Sequence, residues 1–244
     1  MNKKCFHLAA SYTENSGVNS LTNLLFLDKD TIEVTINFNY LKWIELGPMT
    51  YLLGLLKGWQ EDNISISLEG IAASSSPVCY MSRMNFFELL NHQVAESFNR
   101  KEAGDRFVEF KKITGRAADT ADDIANDMAT CITGETNEPD LFEFTDTPPE
   151  DGFYEAIAYS VSELVKNIQQ HSCGNGFIGA QYYPKTDKTQ IAIIDTGIGI
   201  RESFERSSSP HSASIESDLD ALSKALEAEV SSKTYKGDPL SATA

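Results

Sequence analysis

The sequence predicts an α/β protein, an α+β sandwich of two modules, on three observations. Short runs of alternating apolar and polar residues recur between segments whose apolar residues have helical spacing. These runs fall into two groups, with a stretch of weaker patterning from about residue 98 to 149. The 244 residues, 41 % hydrophobic and 23 % charged, are the length and composition of one large globular domain or two ordinary ones.

The first group begins at residues 31–38, where Ile32, Val34, Ile36 and Phe38 alternate with polar partners, as in a half-buried strand. A helix is expected over 47–59, with Pro48 in the first turn, where no N–H is needed, and Met49, Leu52, Leu53 and Leu56 on one stripe. A second strand at 63–69 carries Ile64, Ile66 and Leu68 on one face, and an apolar helix-like run spans 78–95. Residues 1–100 thus form a β-α-β-α module. Residues 101–147 read as a connecting region with a strand at 107–113 and an acidic helix at 119–131.

The second module, 148–244, opens on Thr147, Pro148, Pro149 and Glu150, a capping box with proline at the first helical position. A long helix is expected from there to about His171. Alternating runs at 177–183 and 189–195 flank Pro184-Lys185-Thr186-Asp187 and form a hairpin that leads into Asp195-Thr196-Gly197-Ile198-Gly199. A Ser-rich stretch, 207–214, precedes an amphipathic helix at 217–230 using Leu219, Leu222, Leu226 and Val230.

A formal charge of −16 has the wrong sign for a chain that neutralises phosphates, which argues against nucleic acid as the primary ligand. Cys5, Cys79, Cys131 and Cys173 form no C-x-x-C pair and read as ordinary, mostly buried thiols of a reducing cytoplasm. His7, His92, His171 and His211 lack metal-ligand spacing. The longest strongly apolar stretch, 51–56, is far short of the roughly 20 residues of a membrane crossing, and Lys3 and Lys4 precede no proper signal-peptide core. A cytoplasmic location without membrane association is expected.

Chemistry concentrates on the second module. Ile157, Val161, Leu164 and Ile168 are expected to form the buried stripe of its long helix, with Glu163 and Asn167 on the border, one turn apart. Ala156 and Ser160 on the same side are small and leave room for a ligand. A carboxylate positions or deprotonates water, and an amide oxygen is a hard ligand suited to Mg²⁺. Taken alone, the same two residues are what most solvent-facing helices carry.

Asp195 ends a strand bearing Ile191, Ile193 and Ile194, and Gly197 and Gly199 let the backbone turn sharply and approach a flat ligand. An acid there accepts a hydrogen bond from an exocyclic amine. D-x-G-x-G alone is also a common turn pattern, and Glu202 stands where a dinucleotide fingerprint needs its last glycine. No G-x-x-x-x-G-K-[ST] phosphate loop occurs.

Together, Ser162-Glu163-Leu164-Val165-Lys166-Asn167 and Ile194-Asp195-Thr196-Gly197-Ile198-Gly199-Ile200 resemble the first two nucleotide-binding boxes of the GHKL (Bergerat-fold, histidine kinase-like) ATPases. The resemblance implies a mixed sheet, ATP and Mg²⁺ as cofactors, and a role for each residue. Glu163 would activate water or the attacking group, and Asn167 would ligate Mg²⁺. Asp195 would bind the adenine amine, with Gly197 and Gly199 shaping its pocket. Two departures stand out: Gln170 occupies a position often basic in the family, and beyond residue 200 only Gly237 is available for the further Gly-rich box. The domain therefore reads as cut off within or just after its lid.

The first module resembles, less specifically, the STAS domains of anti-anti-sigma factors, through residues 31–38, the helix from Gly47 and Tyr80-Met81-Ser82-Arg83-Met84-Asn85-Phe86-Phe87. The regulatory serine of such domains has no match in Glu45-Leu46-Gly47-Pro48-Met49. The leading expectation is a Mg-ATP-binding histidine kinase-like protein, an anti-sigma-like serine kinase or signalling ATPase. The alternative is a non-catalytic partner-switching or protein-interaction module with a degenerate or truncated nucleotide site. A third is an α/β scaffold with no nucleotide site.

Overall fold

The computed structural model describes residues 2–14, 17–22, 27–100, 106–114, 120–133, 152–206 and 212–227. The capping-box sequence at 147–150, Val230 and Gly237 lie outside them.

The first strand, β1 (Asn2–His7), is one that the pattern of residues conceals, because its side chains are mostly exposed or half-buried. It is an edge strand, where charged side chains are favoured over a clean alternation. Lys3 pairs with Glu33 at 2.5 Å and Lys4 with Asp28 at 3.0 Å. A two-residue strand β2 (Ser11–Tyr12) and a short helix α1 (Gly17–Leu21) lead to β3 (Thr31–Asn37), whose Val34 and Ile36 are fully buried. Strand β4 (Trp43–Ile44) pairs with β2. Helix α2 (Leu46–Glu61) then carries the chain over to β5 (Ser65–Glu69). The resulting sheet has the order β1-β3-β5, all parallel.

The single helix expected at 78–95 is instead two short ones, α3 (Ser76–Arg83) and α4 (Phe86–Leu89). Asn85 breaks them apart with φ of 62°, a left-handed conformation that asparagine tolerates. The break lets Phe86 and Phe87, neighbours in sequence, both be buried, edge to face with centroids 5.2 Å apart.

Residues expected to connect two modules are part of the second layer. Strand β6 (Phe107–Ile113) is the edge of an antiparallel sheet, and helix α5 (Ala121–Thr133) packs along helix α6 (Phe153–Asn167). The hairpin β7 (Gly176–Tyr183) and β8 (Lys188–Asp195) completes the sheet in the order β6-β7-β8, registered from Gly176 opposite Asp195 to Tyr183 opposite Lys188. One face, through Ile178, Ala180, Ile191 and Ile193, meets α5 and α6. From the opposite face Phe177 joins the core of the N-terminal residues, with Ile194 packed against it.

That shared core is built around α2, which packs against β5 and against the β7–β8 hairpin. Leu46, Met49, Leu52, Leu53 and Leu56 are fully buried, and Leu55 and Trp59 nearly so. A helix apolar around most of its circumference is stable only when covered on several sides. Tyr183 ties the layers further, its hydroxyl accepting the N–H of Leu46 at 3.1 Å, one of the amides that a helix start leaves unpaired. Burial pushes the phenols of Tyr183 and of its neighbour Tyr80 upward.

The C-terminal elements are α7 (Gly199–Arg206) and α8 (Asp218–Ala225). The expected apolar stripe of α8 faces solvent: Leu219, Leu222 and Leu226 are exposed, and the residue buried against Phe204 and Ile215 is Ala221. Ser217 starts the helix with a capping box to Asp220, and packing against Phe204 and Ile215 turns Ala221 inward. The thiols also differ from expectation, since Cys5 and Cys173 are exposed, Cys79 is half-buried and Cys131 alone is buried. Among the described residues no helix is long and apolar enough to cross a membrane.

Candidate functional site

Helix α6 places the first pair of site residues. Its buried face is Tyr154, Val161, Ser162 and Val165, so it is rotated from the expected stripe and leaves Leu164 48 % exposed. Contacts with α5 set this rotation: the Ser162 hydroxyl donates to Asp122 at 2.7 Å, and Lys166 lies 3.7 Å from the same carboxylate. Glu163 is consequently half-buried, 3.4 Å from the Lys166 ammonium, and Asn167 is exposed at the helix end. Ala156 and Ser160 are exposed on the outer side, with the Ser160 hydroxyl turned back onto the Ala156 carbonyl at 2.7 Å.

After Asn167 the helix widens into a π-type turn, Ile168–Ser172. Such turns shift the phase of a helix by one residue and often mark functional sites. Here the turn buries Ser172, whose carbonyl accepts the N–H of Ile198 at 2.8 Å. Gly197 sits directly against it: a Cβ there would lie 2.1 Å from Ser172 Oγ and 2.2 Å from its carbonyl oxygen. Gly174 also approaches Gly197, with 2.8 Å between its would-be Cβ and Gly197 Cα. Next to them Asn175 and Thr196 are paired, the Thr196 N–H donating to the Asn175 carbonyl at 2.8 Å and the Asn175 N–H to Thr196 Oγ1 at 3.2 Å.

Asp195 is the last residue of β8 and shares a side of that strand with Ile191 and Ile193, the side that packs on α5 and α6. It is exposed, and its Oδ1 accepts the Gly197 N–H at 2.8 Å, closing a tight turn of its own. Gly199 has φ of +76° as it opens α7, a conformation that costs glycine nothing.

Ser172, five residues beyond Asn167, thus contacts the turn that carries Asp195, Gly197 and Gly199. Glu163 stands one helical turn before Asn167. Sequence reasoning gave no role to Ser172, Asn175 or Lys166, and the glycines at 174 and 176 are the residue types that could have signalled a close approach there. A cleft of about 550 Å³ adjoins the turn, lined by Glu61 at the end of α2, residues 173–175 and residues 196–198. Glu163, Asn167 and Asp195 do not line it.

Chemically, Asn167 offers a hard oxygen and Asp195 a carboxylate with one oxygen outside its turn bond, both open to solvent. Among the described residues no cluster of three or more His, Cys, Asp or Glu side chains could hold a metal by itself. A cation at Asn167 would need further oxygens from a ligand, which is how Mg²⁺ is held beside substrate phosphates. No family model, curated protein or solved structure matches the chain.

Proposed function

We propose that the C-terminal layer binds Mg-ATP between the end of α6 and the turn at 195–199, in the manner of a GHKL domain. The observation that carries this reading is the Ser172–Ile198 hydrogen bond with the Gly197 contact beneath it. It ties the segment that follows Asn167 to the turn that follows Asp195, which supports reading the two residues as parts of one site. In this reading the Asp195 oxygen outside the turn bond accepts the adenine amine. Asn167 offers its amide oxygen to the metal, which when bound supplies positive charge against the phosphates. Glu163, flanked by Lys166, orients the attacking water or protein hydroxyl. The reaction class is transfer of the γ-phosphoryl group, to water in an ATPase or to a serine in an anti-sigma-like kinase. The N-terminal unit is then a STAS-like regulatory element.

A second reading, a non-catalytic interaction module, is favoured by the exposure of Leu219, Leu222 and Leu226 on one side of the C-terminal helix. Scattered apolar residues are ordinary on a surface, whereas grouped ones mark contact faces.

A thermal-shift titration with ATP, with and without Mg²⁺, separates the two. Binding at 100 times Kd stabilises the fold by about 2.7 kcal/mol. The expected result is a Mg-dependent rise in Tm that Asp195→Asn abolishes. A cooperatively folded wild type with no shift overturns the nucleotide reading and leaves the interaction module.

A further inference from the structure

The turn at 195–199 is held from two sides, and only one of them belongs to its own layer. On the first side is Ser172. On the other is α2, an element of the N-terminal unit, whose last residue Glu61 accepts a hydrogen bond from Asn175 Nδ2 at 2.5 Å. Asn175 exchanges backbone and hydroxyl hydrogen bonds with Thr196, the residue between Asp195 and Gly197. The same helix supports β8 directly, because Gly54 lets Ile194, the residue before Asp195, lie against its backbone. A three-residue chain, Glu61 to Asn175 to Thr196, therefore runs from the N-terminal unit into the candidate nucleotide turn, along the wall of the 550 Å³ cleft.

We propose that Glu61 is a positioning residue, through which the N-terminal unit sets the geometry of the turn bearing Asp195 and Gly197. The proposal rests on the nucleotide reading for its consequence, though not for its contact. Glu61 acts through Asn175: it holds the Asn175 side-chain amide, and the backbone of Asn175 in turn bonds the N–H and hydroxyl of Thr196. The bond is charge-assisted, the stronger kind, and joins the end of α2 to the turn before β7, in addition to the Leu46–Tyr183 hydrogen bond and the apolar packing between α2 and the hairpin. Any displacement of α2 by a partner docking on the N-terminal unit is passed to the turn through it. Contiguity is the physical warrant for such coupling, and demonstrated coupling is its test.

The test is hydrogen exchange of the amides of residues 196–198 in the full chain, without nucleotide, followed by the ATP thermal-shift titration on the same variants. Asn175→Asp sets two carboxylates against each other and is expected to speed exchange at Thr196 and Ile198 about fivefold, the loss of roughly one hydrogen bond. Glu61→Gln keeps an acceptor oxygen and is expected to leave exchange near wild type. The double variant, Glu61→Gln with Asn175→Asp, restores a hydrogen bond of reversed polarity and is expected to restore slow exchange, a rescue that general damage to the fold would not give. Unchanged exchange in Asn175→Asp, or equally fast exchange in the double variant with Tm preserved, overturns the proposal. If exchange follows the expected pattern while wild type shows no ATP shift, the positioning role stands and the nucleotide reading falls. If ATP stabilises all three variants equally despite altered exchange, the coupling has no bearing on the site and the proposal fails.

Discussion

Gly54 in the middle of α2 and Ile194 in β8 are in such close contact that a Cβ on the glycine would lie 2.5 Å from Ile194 Cδ1 and 2.9 Å from Cγ1. A residue of the N-terminal unit thus abuts the strand that ends in Asp195. A glycine in a helix interior normally costs about 1 kcal/mol relative to alanine. Its presence here is explained by the strand lying against it.

Gly54→Val is expected to destabilise the fold by about 1–3 kcal/mol, the usual cost of overpacking. Ile194→Ala should recover part of this loss in the double variant, because the two residues share one contact. Urea unfolding of the four proteins measures the coupling, and strict additivity would show that the contact does not govern the packing.

Gly197 and Gly199 differ in what a methyl group would meet. At Gly197 it would strike Ser172, while at Gly199 nothing lies within 4 Å and the obstacle is the positive φ. Gly197→Ala should push the Ser172 carbonyl off the Ile198 N–H and speed that amide's exchange. Gly199→Ala should cost about 1–2 kcal/mol from the left-handed backbone yet leave Ile198 protected. Exchange mass spectrometry on both variants checks the contrast.

The two polar residues of α6 should separate in assay. Asn167→Ala is expected to remove the Mg-dependent part of ATP binding, and Glu163→Ala to preserve binding while removing turnover. Equal loss of affinity in both, with unchanged circular dichroism, contradicts distinct roles.

Part of the acid sensitivity should lie at two helix starts. The Thr120 hydroxyl holds the Asp123 carboxyl below its ordinary range, and Ser217 does the same for Asp220. Both groups bind a proton less readily when folded. The stability they add is complete above the ordinary aspartate pKa of about 3.9, and is lost as pH falls through the lower folded values. The Tm gap between wild type and the Asp123→Asn, Asp220→Asn double variant should therefore be open at pH 6 and close on acidification toward pH 3. A gap that stays constant across this window contradicts the assignment.

Helix α8 offers a stability test of its rotation. Serine at Leu219, Leu222 or Leu226 should change stability by no more than about 0.5 kcal/mol, as at other exposed sites. Ala221→Leu should cost about 1–3 kcal/mol, since the methyl is already enclosed by Phe204 and Ile215. Melting curves of the four variants decide it.

What could be read from residue order follows the strength of local patterning. The hairpin flanking 184–187 was legible because alternation and turn residues agree there. The α2 helix was legible from its leucines, although not that it is buried against two sheets. Strand β1 was hidden by its lysines, and the split at Asn85 by the continuous apolar run around it. The residues of the candidate site were legible as types at a spacing; the contact of Ser172 with Gly197 was not, because it forms across the fold.

The sequence by itself determined the local preferences: the strands of alternating residues, the glycines that admit close approach, and the acid and amide one turn apart on α6. Tertiary structure alone decided which faces those elements present. Rotation of α6 toward α5 turned Leu164 outward, and α8 turned its leucines to solvent around a buried alanine. Periodicity specifies that a helix has an apolar side, but the burial of each residue is fixed by the partner surfaces that compete for it. For the same reason only the folded chain shows α2 reaching, through Gly54 and Glu61, from one sheet to the turn of another.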